Sequence, residues 1–223
     1  MSGIAEAVAE VRERIAAAAR RAGRDPATVR LVAASKTVPA PRVAEVVACG
    51  VTDVGENRAQ ELRAKADELA RTGPHEGREV CWHFLGRLQR NKVRGLASLV
   101  TWWQSVDRES LGTAIARHAP GARVLVEVNV AAEPQKGGCS PGDVEPLVDA
   151  LQASGLRVEG LMTIPPARDD PRRWFARLRE QAAGLGLPEL SMGMTDDYEI
   201  AVEEGATMVR VGRALFGARP AGA

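Results

Sequence analysis

Arg123-Val124-Leu125-Val126-Glu127-Val128-Asn129-Val130 is the strongest strand signal in the chain, and the segments on its carboxyl side set the architecture. Residues 141–153 carry a helical pattern with Pro141 in the permissive first turn, and 158–162 return to strand. A strand, a helix and a second strand in about 40 residues make one βαβ unit, which calls for parallel pairing. Upstream, the same reading gives a helix over 109–118 and strands over 99–104 and 80–85. It then gives a helix over 57–71, a strand over 51–54, a helix over 41–49 and a strand over 29–34. Downstream it gives a helix over 171–183, a short strand over 190–192, a short helix over 197–204 and a last strand over 207–211. Ile4, Val8, Val11 and Ile15 recur at helical spacing, so the chain opens on an amphipathic helix at about 4–22, ended by Gly23 and Asp25-Pro26. Eight strand candidates, near residues 31, 51, 82, 100, 125, 160, 190 and 209, recur roughly every 25 residues. The reading is an α/β fold, a (β/α)8 TIM barrel, with residues 1–223 as one domain; an open doubly wound sheet is the runner-up.

The 223 residues are 45% hydrophobic and 26% charged, which excludes a disordered or collagen-like chain. Thirty basic residues against twenty-nine acidic ones leave a net charge of +1, with no strong field for nucleic acid or an anionic membrane. Only Lys36, Lys65, Lys92 and Lys136 are lysines; arginine carries the remaining positive charge. Cys49, Cys81 and Cys139 are far apart, with no CxxC or Cys/His ligand spacing, so no metal centre is expected and a reducing compartment is. No signal-peptide pattern opens the chain and no run approaches membrane-helix length, so the expected location is the cytoplasm.

In such a barrel the chemistry sits at the carboxyl ends of the strands. Lys36 follows the apolar run Leu31-Val32-Ala33-Ala34, which carries its amine to the barrel mouth. A partly desolvated amine beside other cations is the form that makes a Schiff base, while a salt-bridged strand-end lysine is the plain alternative. Residues 207–217 end a strand at Gly212 and lead into a short turn, the usual anion position after strands 7 and 8. Ser191 and Thr195 add hydroxyls from the preceding loop. Arg210 is open between a phosphate, an acidic substrate and an internal carboxylate; Arg213 lies between a phosphate contact and a surface charge. His83 reads more as a hydrogen-bonded structural residue than as an acid or base, and Asn57 more as a helix cap than as a ligand contact.

These segments together resemble the pyridoxal-phosphate homeostasis protein family, also called the YggS/PROSC family. The resemblance is carried by Ser35-Lys36-Thr37, Gly55-Glu56-Asn57-Arg58, Trp82-His83-Phe84-Leu85-Gly86 and its continuation to Lys92, and Ser105-Val106-Asp107-Arg108. Further on it is carried by Glu133-Pro134-Gln135-Lys136-Gly137, Gly160-Leu161-Met162-Thr163-Ile164-Pro165, Leu190-Ser191-Met192-Gly193-Met194-Thr195 and Val209-Arg210-Val211-Gly212-Arg213. The matches run in order from residue 32 to 217. Departures are few: Val38 stands where a second lysine is common, Thr195 where serine is common, and Ala34 where valine is usual.

The resemblance implies a barrel like the N-terminal domain of alanine racemase and a protein that carries pyridoxal 5′-phosphate (PLP) as a Schiff base on Lys36. It implies that Ser191, Thr195 and the Gly212-Arg213 turn hold the phosphate, with Met192 in the same segment. Arg210 would face the pyridine nitrogen, and Asn57 and His83 would line the mouth. A guanidinium there opposes ring protonation and weakens the ring as an electron sink. The only tyrosine, Tyr198, is badly placed as an acid opposite the ring, and with the sequence ending soon after the phosphate turn a second domain is not expected. No catalytic residue is therefore expected, and the implied role is to keep PLP and amino-acid levels steady. PLP-dependent acceptor enzymes are implied partners, membrane and nucleic acid are not, and a monomer is expected. The rival is a PLP-dependent racemase or decarboxylase.

Overall fold

A computed structural model describes residues 3–72 and 79–217. Eight parallel strands close on themselves in chain order. They are β1 (Arg30–Ala34), β2 (Asp53–Glu56), β3 (Cys81–Phe84), β4 (Val100–Val106), β5 (Arg123–Glu127), β6 (Arg157–Met162), β7 (Glu189–Ser191) and β8 (Met208–Val211). Closure is made by β8 against β1, with Val32 beside Arg210 and Ala33 beside Val211. The helices are α1 (Ile4–Arg21), α2 (Ala40–Ala48), α3 (Ala59–Thr72), α4 (Glu109–His118), α5 (Val144–Ala153), α6 (Pro171–Gly184), α7 (Tyr198–Glu203) and α8 (Arg213–Phe216). Among the described residues no helix is long and apolar enough to cross a membrane. His75 lies outside the described residues.

Two apolar layers follow from strand alternation. Inside the barrel, Val32, Trp102, Leu125, Met162 and Met208 form a small cluster. Between barrel and helices lies a larger one, in which α1 contributes Ile4, Val8, Val11 and Ile15. Trp102 and Trp103 are both buried and, as neighbours on β4, face opposite layers: Trp102 inward, Trp103 outward.

Two strand expectations shift. The second strand begins at Asp53 rather than Val51, because Val51 N–H bonds back to Val46 C=O and completes the closing turn of α2. The fifth ends at Glu127, because Asn129 leaves the sheet to staple a loop. Its Oδ1 accepts from Glu133 N–H at 3.0 Å and its Nδ2 donates to Glu133 C=O at 2.8 Å. The expected helix from 141 opens as a 3-10 turn, Pro141–Asp143, before α5.

Candidate cofactor site

Ser35, Lys36 and Thr37 form the turn at the carboxyl end of β1, and Thr37 takes a left-handed φ of 64°. Such a conformation costs a non-glycine residue free energy, so the surroundings must hold it. They do so through a buried set of polar groups. Lys65 of α3, only 7% exposed, donates from Nζ to Ser35 C=O at 2.7 Å and pairs with Glu56. Ser35 Oγ donates to Glu56 Oε1 at 2.6 Å, and Thr37 N–H donates to Glu61 Oε2 at 3.1 Å. Glu56, the last residue of β2, is fully buried. The Lys36 turn is therefore fastened by two carboxylates and an ammonium, leaving Lys36 half-buried at its apex. Lys65 had no functional reading in the sequence, since a lysine on a helix usually reads as solvated surface.

Across from Lys36, β8 ends at Val211 and α8 begins at Arg213. A Cβ on Gly212 would stand 3.0 Å from Ala34 C=O, so glycine lets this turn press against the end of β1. A cavity of about 230 Å³ opens there, with Lys36 and Thr37 on one wall and Gly212, Arg213 and Phe216 on the other; Arg42 also lines it. Its size suits one small aromatic ring with a short tail, and it is smaller than a typical drug-sized pocket. The opening N–H groups of α8 have no intrahelical acceptor, so they and two guanidinium groups favour an anionic tail. The preceding loop is held by Gly193, whose φ is 89° and whose C=O accepts from Arg210 N–H at 2.9 Å.

Arg210 and Ser191 occupy the buried interior beside this mouth. Arg210 Nη1 donates to Ser191 Oγ at 2.7 Å and Nη2 donates to Thr163 C=O at 2.8 Å. Burial pushes the guanidinium down to about 10, opposed by Glu127 and Asp197, so it stays a cation at neutral pH. Ser191 Oγ in turn donates to Gln104 Oε1 at 2.6 Å. Its hydroxyl is thus engaged inside the barrel rather than turned to the Gly212 cavity. Glu127, at the end of β5, is pushed up to about 7 by burial and by Asp107, against the opposing pull of Arg210 and Arg87. Neither Gln104 nor Glu127 was singled out from sequence. One is an amide within an apolar strand and the other a carboxylate in a strand-like run.

The other expectations divide. Met192 is fully buried and belongs to the packed layer outside the barrel. Thr195 is half-buried and lines a different surface recess, near Arg14 and Asp197. Arg213 is exposed and paired with Asp196. Asn57 is exposed just beyond β2, with its N–H toward Glu56 Oε2 at 3.3 Å. His83 does not line the mouth. Its ring is fully buried within β3, with Nε2 2.8 Å from Asp53 at the start of β2, because an inward residue inside a strand points into the lumen. Cys81 Sγ lies 3.6 Å from the same Nε2. Arg30 Nε lies 3.6 Å from Asp53, so a cation already occupies that corner. Tyr198 is buried on the outside of the barrel beneath Arg14, away from Lys36. Lys136 Nζ is tied to Pro165 C=O at 2.9 Å and to Glu133, while Lys92 is exposed.

Comparison with known proteins agrees with this fold. The family described as alanine racemase, N-terminal domain, matches residues 7–220. The pyridoxal phosphate homeostasis protein of Pseudomonas aeruginosa is 47% identical over the whole chain and 99% of its own length, and that of Aquifex aeolicus 42% over 96% and 97%. The solved structure of PipY from Synechococcus elongatus with PLP bound superposes with a TM-score of 0.81 at 33% identity, covering 96% of this chain and all of PipY. Alanine racemase from Corynebacterium glutamicum, at 19% identity and a TM-score of 0.67, covers 98% of this chain but 63% of its own and shares the fold alone. With a fastened lysine facing a glycine turn across the mouth of an eight-stranded barrel, and relatives this similar end to end, the chain belongs to the pyridoxal phosphate homeostasis protein family.

Proposed function

We propose that this chain binds PLP reversibly through Lys36 and holds it without processing amino acids, steadying the supply of the cofactor. Residues 1–223 would act as one cofactor-binding barrel. The observation that carries this reading is the shared cavity: among the described residues, the only half-buried lysine at a strand end and the Gly212-Arg213 turn face each other across it. PLP, when bound, supplies an aldehyde that forms a reversible bond with an amine and a ring that draws off electrons.

The protein's own residues explain why binding is favoured and turnover is not. Glu56, Glu61 and Lys65 hold the Lys36 turn, so the amine meets its partner without a large ordering cost. The α8 turn would hold the phosphate, joined by Arg213 once it leaves Asp196 and by Thr195 once it turns from its own recess; Met192 and Ser191 would support that loop from beneath. Asn57, exposed just beyond β2, would approach the bound ring from outside the cavity wall. Arg210 is a donor with no lone pair to offer, so it keeps a neighbouring ring nitrogen unprotonated and limits carbanion chemistry. An acid facing the ring is required for efficient racemisation, and Tyr198 cannot serve, being buried elsewhere. The protein would work in the cytoplasm as a monomer, and enzymes that need PLP are the acceptors this reading suggests.

Binding of PLP and of pyridoxal, its phosphate-free form, tests the reading. The phosphorylated form is expected to bind at least tenfold more tightly, and amino acids added in deuterated water are expected to show no exchange of the α-proton at catalytic rates. Equal affinity for the two forms, or rapid exchange, would contradict it.

A further inference from the structure

A continuous line of polar side chains crosses the barrel interior from the mouth to the base. It begins at Arg210, whose guanidinium can only donate. Ser191 Oγ accepts that bond at 2.7 Å and directs its own proton toward Gln104 Oε1 at 2.6 Å. With the oxygen of its amide fixed, Gln104 presents Nε2 to His83 Nδ1 at 2.6 Å and to Met208 Sδ at 3.5 Å. Both of these accept, since a thioether has no proton to give. His83 must then carry its proton on Nε2, which lies 2.8 Å from Asp53 Oδ1. Every bond in the line runs the same way. Two independent ends agree on it: a donor-only guanidinium at the mouth, and an acceptor-only sulfur and carboxylate toward the base.

From this geometry we infer that Gln104 and His83 are positioning residues for the Arg210–Ser191 pair, and that Arg210 at the cofactor end and Asp53 at the base call for the same tautomer of His83. In a reversed line the Gln104 oxygen would face the Met208 sulfur and a bare His83 Nε2 would face Asp53, acceptor against acceptor at both places. Ser191 would then receive two donors and have no partner for its own proton, deep in the packed barrel. Arg210 and Ser191, Gln104, His83 and Asp53 come from β8, β7, β4, β3 and β2, so the line also ties strands on different sides of the barrel to one arrangement. The groups facing His83 are Asp53, Cys81, Gln104 and the ring of Trp102, stacked at 6.0 Å. The Arg30 and Arg123 guanidiniums add positive charge from the Trp102 corner. Among them only Asp53 favours a charged imidazole, and burial opposes it, which agrees with a neutral ring.

The inference rests on the PLP reading for its functional half, whereas the tautomer does not. In full-length protein without PLP, nitrogen-15 NMR of the three histidines is expected to show His83 protonated on Nε2 alone at pH 7. A proton on Nδ1, or a charged ring, would overturn the inference. Gln104→Glu puts a carboxyl group against Nδ1, so one extra proton is expected between the two at pH 7, on Nδ1 or on the carboxyl, with Nε2 still protonated toward Asp53; loss of the Nε2 proton in this variant would overturn it. If PLP binds the wild type, Gln104→Leu is expected to weaken it about tenfold and to shift the absorption band of the bound cofactor. Ser191→Ala added to Gln104→Leu is then expected to weaken it less than twofold more. Losses that simply multiply would show that the two residues act separately and would overturn the positioning role. Where a variant does not fold, the wild-type tautomer decides the matter alone. Wild-type protein that shows the Nε2 proton but no PLP binding would sink the cofactor reading and leave the line of bonds standing.

Discussion

Lys36 and His83 look alike in the sequence, each a basic residue against a short apolar run, yet they end in opposite surroundings. Lys36 stands two residues beyond β1, at a turn that opens on a cavity. His83 stands inside β3, with neighbours paired on both sides, and its ring is sealed in the lumen. The difference is one of register. A residue past the last paired position escapes the barrel wall, while an inward residue within it becomes part of the core. Polar groups serve both places in different ways: around Lys36 they fix a backbone and leave a side chain free, and around His83 they use up every ring nitrogen.

The sharpest way to break this contrast is Lys36→Ala, which is expected to abolish the covalent adduct trapped by borohydride while leaving the fold intact, as seen by circular dichroism. An adduct of the same yield would show that the amine is not special. Next in size is Gly193→Val, on the loop behind the mouth. A Cβ there would meet Ala201 Cβ at 2.5 Å and Tyr198 Cα at 2.9 Å, at a φ of 89°. A loss of about 3 kcal/mol or more in denaturant unfolding is expected. Glu127→Gln sharpens the electrostatic side. Because its carboxyl is raised from 4.5 to about 7 in the folded protein, the folded state holds a proton that the unfolded chain has already lost. The stability this contributes is full below pH 4.5 and is lost as the pH rises through about 7. The variant is expected to match wild type at pH 4 and to exceed it by about 1–3 kcal/mol at pH 8, read from unfolding curves at both values. Smallest is Arg14→Ala on the outer surface, where a half-exposed pair with Glu199 should be worth less than about 1 kcal/mol and fade in salt.

The eight strands and seven of the helices were visible in the sequence because each is a local pattern of apolar period, and closure of the barrel followed from repetition. The strand at 51–54 was misplaced because Val51 is apolar for the sake of the α2 turn, and periodicity cannot separate the two uses. Lys36 and Gly212 were legible since both stand just past apolar runs. Lys65 was not, because its partners Ser35 and Glu56 lie on other elements and nothing in a helix pattern marks a buried lysine. The line from Arg210 to Asp53 was hidden for the same reason, being made of single residues on five strands. Ser191, expected at a phosphate, has its hydroxyl committed to that line.

If the cavity between β1 and α8 is the PLP site, Lys36 alone among four lysines meets the aldehyde. The decisive measurement is wild-type protein mixed with less than one equivalent of PLP, reduced with borohydride, digested and mapped by mass spectrometry. The expected result is one modified peptide, containing residue 36. Modification spread over Lys65, Lys92 and Lys136, or concentrated on any one of them, would contradict it.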